Sequence, residues 1–321
     1  MKCIDKYSKL FLCTLAASCF FTGCASNNNE VTSFEKNEYK KTAYSAEGYA
    51  QHLCVGEDDI AMDSVTTDPA LKSAGLFSLN DEKILYADNI YQEVYPASLT
   101  KVLTAYVALK YGNLDDVVTV HKNATVFPAG AQLCGLREGD KLTLRDLLNG
   151  LLLYSGNDNA VAIAEHISGS IEKFADLMNS EAYKLGATHT HFVNPHGLHD
   201  DDHHTTAYDM YLIFSACMKQ DSFLDIIGQP SYTATITGAN GEQRQITWLP
   251  TNLYASNEAE HPQGLELLGG KTGNTNEAKR CLIYLTKDSH EKYYISIVMG
   301  AETKPLVYTN MNAMLNAIPN K

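Results

Sequence analysis

Tyr95-Pro-Ala-Ser-Leu-Thr-Lys-Val-Leu-Thr-Ala-Tyr-Val-Ala-Leu-Lys-Tyr111 reads as a turn followed by a helix. Pro96 biases Tyr95 toward an extended conformation and cannot itself sit inside a helix. Beyond it, Val102, Leu103, Tyr106, Val107 and Leu109 recur at helical spacing, and Gly112 ends the run. Ser98 falls at the start of that helix with Lys101 three positions on. Residues i and i+3 share a face, so the hydroxyl and the amine can meet one turn apart. A serine at a helix start is most often an N-cap. With a lysine one turn later on an apolar helix, it is also a candidate nucleophile beside its base.

The segments on either side have opposite character. Before the helix, Gly75-Leu-Phe-Ser-Leu and Lys83-Ile-Leu-Tyr-Ala read as a hairpin turning at Asn80-Asp81. After it come helical patterns over Thr143 to Tyr154, capped by Thr143, then Asp158 to Ile167, Ile171 to Leu185 with Gly186 at the C-cap, and Thr205 to Lys219. The last third returns to strands: Tyr232 to Thr237 and Gln245 to Trp248 around a Gly238–Gly241 turn, Leu267 to Thr272, Arg280 to Thr286 and Tyr293 to Met299. A helix near Thr309 to Ala317 follows. Strands at both ends with helices between predict an α+β fold, a mainly antiparallel sheet formed by both ends of the chain with an inserted helical lobe.

The chain has 321 residues and a formal net charge of −13. That acidity argues against nucleic acid or an anionic membrane surface as the main partner. Lys2, Lys6 and Lys9 precede an apolar run, Leu10 to Phe21, that is short for a membrane span. The run ends in Phe21-Thr22-Gly23-Cys24, which resembles a bacterial lipoprotein signal with Phe21 in place of the usual leucine. The expectation is a signal over 1–23, lipidation at Cys24, a polar tether over 24–60 and a catalytic domain over 61–321. It places the protein, exported, on the extracytoplasmic face of the bacterial membrane. Cys54, Cys134, Cys217 and Cys281 show no metal spacing, and any disulfide pairing among them is left open. Cys217 and Cys281 sit in apolar runs that suit buried thiols.

Two further clusters carry potential chemistry. Tyr154-Ser-Gly-Asn-Asp-Asn159 lies at the break between two helices, where capping is the simplest role for Ser155 or Asn157. Gly269-Gly-Lys-Thr-Gly273 puts glycines inside a strand, as happens when another backbone must come close or a bulge intervenes. In this order, Ser98-x-x-Lys101, Ser155-x-Asn157 and Lys271-Thr-Gly273 resemble the signature of penicillin-binding proteins and class A β-lactamases. Asp146-Leu-Leu ahead of Ser155, Phe192-Val-Asn-Pro-His-Gly-Leu198, Thr206-Ala-Tyr-Asp209 and Lys271-Thr-Gly-Asn-Thr275 narrow the resemblance to serine D-alanyl-D-alanine carboxypeptidases. It runs from about Ser73 to Gly300.

The resemblance implies Ser98 as nucleophile, Lys101 as general base, Ser155 as proton relay and Asn157 as orienting amide. Lys271, Thr272 and Gly273 would hold the substrate's terminal carboxylate, and backbone N–H groups of Ser98 and Asn274 would form an oxyanion hole. The implied substrate is a peptidoglycan stem peptide ending in D-Ala-D-Ala, with β-lactams as inhibitors and no cofactor or metal. Many members carry a further C-terminal β-rich domain, for which the short stretch from Lys271 to Lys321 has no room. The alternatives are a β-lactamase, a β-lactam-binding sensor that does not turn over, and a structural wall protein. No glutamate between Ser155 and Lys271 stands in the Glu-x-x-Leu-Asn context of a class A deacylating residue, which weakens the first. Finally, His189, His191, His196, His199, His203 and His204 crowd one loop, but clustering in sequence does not supply tetrahedral geometry. A polar surface loop is the expectation there.

Overall fold

The computed structural model describes residues 52–57 and 59–319. The signal, Cys24 and the tether as far as Gln51 lie outside the described residues. Two strands open the fold, β1 (Ser73–Ser78) and β2 (Lys83–Asp88), and three close it, β7 (Leu265–Thr275), β8 (Lys279–Asp288) and β9 (Tyr293–Ala301). They form one five-stranded antiparallel sheet in the order β2-β1-β9-β8-β7, as the sequence pattern predicts. Both faces of this sheet are covered, which is why Cys281-Leu-Ile-Tyr-Leu reads as a continuous apolar run. Phe77, Ile283, Leu285, Ile295 and Ile297 pack toward the helical lobe. Their neighbours Leu76, Leu282, Tyr284 and Val298 pack with Met311, Met314 and Leu315 of the C-terminal helix.

The helical lobe holds α1 (Thr100–Tyr111), α2 (Leu144–Asn149), α3 (Asn157–Ser168), α4 (Ile171–Lys184), α5 (Ala207–Cys217) and α6 (Asp221–Ile227); α7 (Lys304–Asn316) is the C-terminal helix on the sheet. Thr143 caps α2 through a reciprocal capping box with Asp146, whose N–H donates to Thr143 Oγ1. The one-sided apolar face expected of α1 is too modest a reading. Every residue from Thr100 to Ala108 is buried, because α3, α4 and α5 surround the helix. Immediately ahead of it, the single turn Ala97–Leu99 packs on β7, an edge strand of the sheet.

Two expectations need correction. The hairpin β5 (Tyr232–Thr237) and β6 (Gln243–Trp248) does not join the main sheet. It pairs through β4 (Lys141–Thr143) with β3 (Val117–Thr119), in a second sheet of order β3-β4-β5-β6. Periodicity identifies a strand but not its partner, and three-residue strands are too short to show any. Cys54 and Ile60, which fall inside the expected tether, pack on the domain instead. Cys54 is fully buried; its N–H donates to Tyr211 Oη (2.8 Å), its carbonyl accepts from Tyr208 Oη (2.9 Å), and Ile60 bridges to Ala87. All four body cysteines are buried free thiols.

Candidate active site

Ser98 sits in the Ala97–Leu99 turn with no side-chain capping bond, so the N-cap reading does not hold. Its Oγ lies 2.8 Å from Lys101 Nζ instead. Lys101 is fully buried, and its Nζ also reaches Asn157 Oδ1 (2.7 Å) and the carbonyl of His196 (2.6 Å). Burial holds the Lys101 amine well below the ordinary lysine range, and the charge of Lys271 pushes the same way, against a weaker opposing pull from Cys134 and Asp158. A buried amine beside a hydroxyl, with its proton disfavoured, is equipped to accept the hydroxyl's proton.

The second cluster is shaped by a break in regular helix. After α2 the chain makes a π-helical turn, Gly150–Tyr154, and Ser155 follows in the left-handed region at φ 67°. Such wide turns recur at functional sites. Here the turn aims Ser155 Oγ at Lys271 Nζ, 2.8 Å away, while Asn157 in the first turn of α3 meets Lys101. Neither side chain caps α3, whose N-cap is Gly156. Gly156 has no room for a side chain: a Cβ there would stand 2.5 Å from Cys134 Sγ. Buried Asp158 accepts the N–H groups of Cys134, Gly135 and Leu136 and so ties that loop beneath the cluster.

The glycines of the third cluster answer to both sequence readings. The ladder shifts register between Leu267 and Gly269, a bulge, and a Cβ on Gly269 would lie 2.2 Å from the carbonyl of Ile227. Gly273 faces the carbonyl of Pro96, 2.9 Å from where its Cβ would be, which lets β7 close on the Ser98 turn. Lys271 is 1 % exposed, with Nζ donating to the carbonyl of Thr272 at 2.8 Å. Burial pushes its pKa down to about 7. It therefore acts from behind the cleft wall, and Ser155 and Thr272 present the contact surface. Thr272 Oγ1 is 2.6 Å from Thr251 Oγ1.

Ser98, Ser155, Asn157, Thr272, Gly273 and Asn274 all line one cleft of about 380 Å³. Among the described residues its walls carry Arg280 and Lys304 and no carboxylate, in a chain of net charge −13. Those two cations, with Lys271 behind the wall, favour an anionic ligand. The sequence pattern missed Thr251 and Cys134, which carry no spacing signal relative to the motifs, and the carbonyl of His196, which no side-chain pattern can show; Asp158 stands inside the second cluster, but its grip on the Cys134 loop does not show in the sequence.

The histidine loop is also less superficial than expected. His203 is buried, stacked on Phe192, with Nε2 2.8 Å from Thr100 Oγ1 and Nδ1 accepting from the N–H of Val193. Burial pushes His203 and His196 down to about 3, so both stay neutral at working pH. Gly197 is at φ +81°, and a Cβ there would stand 1.9 Å from the carbonyl of Ala97, so this loop presses directly on the Ser98 turn.

Comparison with known proteins is consistent with this geometry. Residues 62–303 match the family described as D-alanyl-D-alanine carboxypeptidase. The chain is 33% identical over 268 residues to D-alanyl-D-alanine carboxypeptidase DacD of Salmonella typhimurium, covering 79% of this chain and 65% of that protein, so it spans less than two thirds of that relative's length. It is 30% identical over 269 residues to a D-alanyl-D-alanine carboxypeptidase of a Streptomyces species, covering 79% of this chain and 89% of that one. The crystal structure of a Streptomyces DD-transpeptidase superposes with a TM-score of 0.72 at 30% identity, covering 79% of this chain and 98% of that chain.

Proposed function

The chain belongs to the D-alanyl-D-alanine carboxypeptidase family, and from that premise we propose that it is a serine DD-carboxypeptidase that removes the terminal D-alanine from peptidoglycan stem peptides. The observation that carries the proposal is the buried, deprotonation-prone amine of Lys101 at 2.8 Å from Ser98 Oγ. Neutral Lys101 takes the Ser98 proton as Oγ attacks the carbonyl of the penultimate D-alanine. The oxyanion forms between the N–H groups of Ser98 and Asn274. Ser155, bonded to Lys271, passes its proton to the departing amine and is refilled with the one that Lys101 took from Ser98; the C–N bond breaks, D-alanine leaves and Lys101 is neutral again. Water then attacks the ester carbonyl, Lys101 takes the water's proton and hands it to Ser98 Oγ as the ester C–O bond breaks, and Ser98 is regenerated. Asn157 orients Lys101 and the substrate amide. The terminal carboxylate rests on Thr272 in the field of Lys271, on a wall that carries no competing carboxylate among the described residues.

A β-lactam would enter the same acyl stage and remain there. The test is release of free D-alanine from a peptide ending in L-Lys-D-Ala-D-Ala by the full chain. Absence of release while penicillin still acylates Ser98 would favour a sensor, and rapid repeated hydrolysis of penicillin would favour a β-lactamase. A transpeptidase is a second reading, because the Streptomyces structure is that of a DD-transpeptidase. There an amine replaces water as the acceptor, and adding a glycine-terminated amine acceptor would divert the product. Lipidation at Cys24 is the remaining part of the proposal; two acyl chains suffice for a stable anchor. Cys24→Ala should move the protein from the membrane to the soluble fraction, and unchanged fractionation would sink it.

A further inference from the structure

We infer that Asn194 is a positioning residue that holds the carbonyl of His196 on Lys101 and so turns the amine's lone pair toward Ser98. The inference rests on the Ser98–Lys101 reading above and deepens it.

A neutral amine has two N–H groups and one lone pair. Lys101 Nζ has three neighbours at hydrogen-bond distance, Ser98 Oγ, Asn157 Oδ1 and the carbonyl of His196. The amide oxygen and the carbonyl can only accept. When both N–H groups are spent on them, the remaining direction, toward Ser98, is the lone pair. The Ser98 hydroxyl then donates into it, and its proton has one place to go. Without the His196 carbonyl, an N–H is free to swing onto Ser98 Oγ, where it opposes proton abstraction.

That carbonyl belongs to a loop, and a loop must be held. Asn194 does so with one side-chain amide. Its Oδ1 accepts from the N–H of Gly197 (2.7 Å) and of His196 (3.2 Å), and its Nδ2 donates to the carbonyl of Leu198 (3.0 Å). The loop is then laid along α1 at neighbouring positions. Thr104 Oγ1 donates to the carbonyl of Pro195 (2.7 Å), and Thr100 Oγ1 meets His203 Nε2 (2.8 Å). Lys101 lies between these two contacts. The charged or titratable groups that act on Lys101 are Lys271 from β7, Asp158 from α3 and Cys134 from the loop before α2. Lys101 in turn acts on His196 and His203 of the histidine loop. Asn194 adds no charge to this set.

The test uses the full chain, a fluorescent penicillin and the second-order rate of Ser98 acylation from pH 5 to 9. Asn194→Ala should lower the plateau rate about tenfold, a misplacement effect, and move the acid limb to lower pH, because the protonated amine loses a carbonyl acceptor. Asn194→Asp keeps both acceptor contacts, so it should recover the plateau to within about threefold, with the acid limb displaced upward instead by its added charge. Thermal melting of both variants separates this from lost folding. A wild-type rate and acid limb in Asn194→Ala would overturn the inference, as would rate losses in both variants that merely track the folded fraction. If Asn194→Ala does not fold, a failure of Asn194→Asp to recover the plateau overturns it. A wild-type chain that is never acylated would sink the Ser98–Lys101 reading itself. Acylation of the wild type with indifferent Asn194 variants sinks this inference alone.

Discussion

The start of α1 and the edge strand β7 each bury a lysine beside a serine, and the two are held differently. Lys101 is enclosed by a helix, the Asn157 amide and a loop carbonyl, with its amine directly on Ser98. Lys271 projects from a strand onto Ser155 and its neighbour's carbonyl, one layer behind the cleft wall. Burial lowers both pKa values, and Lys101 is lowered further by the charge of Lys271. The difference suits a division of labour. A base must be empty of its proton before substrate arrives, whereas an anion-binding lysine can be neutral in the empty site and regain its proton when a carboxylate enters.

Substitutions can break that division. Ser98→Ala should have the largest effect, removing penicillin labelling and D-alanine release by roughly 10⁴-fold or more. Release that survived would show that Ser98 is not the nucleophile. Lys101→Met should cost about 10² to 10⁴ in acylation rate. Lys101→Arg should do no better, since a guanidinium keeps its charge and cannot accept the proton; an active Arg variant would disprove the base role. Lys271→Met should weaken use of a D-Ala-D-Ala peptide by about 10- to 100-fold, from the loss of about 1.5–3 kcal/mol of charged hydrogen bonding. The same variant should cost much less with a carboxamide-terminated peptide. Equal losses on both peptides would mean that Lys271 does not read the carboxylate.

Smaller effects sharpen the comparison. With Lys271 at about 7, roughly half of the empty sites hold a neutral amine at pH 7. Binding a carboxylate ligand should therefore take up a fraction of a proton, visible as a dependence of the calorimetric enthalpy on the buffer's ionisation heat. No such dependence would place Lys271 in a fixed charge state. Folding should report the same linkage. The folded-state pKa lies below the unfolded value of 10.5, so between the two the native state binds fewer protons, and stability rises with pH above 7. His196 and His203 act in the same sense at lower pH. Their folded values of about 3 lie below 6.5, so stability falls as pH drops through that interval. Thermal melts from pH 4 to 8.5 should show both slopes, and Lys271→Met should make the upper one shallower, leaving the part that Lys101 contributes.

Much of the frame was legible in the residues. Pro96, the apolar spacing from Val102 to Leu109 and Gly112 mark α1, and the apolar runs of β1, β8 and β9 mark strands buried on both faces. The second sheet was not legible. Val117–Thr119 and Lys141–Thr143 are too short to show a period, and they exist as strands only because they pair with each other and β4 with β5. The three motifs pointed to Ser98, Ser155, Asn157 and Thr272, and the fold brings these to one cleft. Capping offered an equally good local account of the serines, and only their observed partners, two lysines, set it aside.

By itself, then, the sequence determined which elements form, the two-ended sheet with its helical insertion, and which functional groups are available. These are local matters, settled by side-chain period, turn residues and short spacings. The tertiary structure alone decided that Lys101 and Lys271 lose their surroundings of water, that a backbone carbonyl at His196 becomes the third partner of Lys101, and that no carboxylate among the described residues lines the cleft. Each of these is a sum over neighbours far apart in the chain. Desolvation, and with it the proton affinity of a buried amine, depends on everything packed around the group rather than on what precedes and follows it.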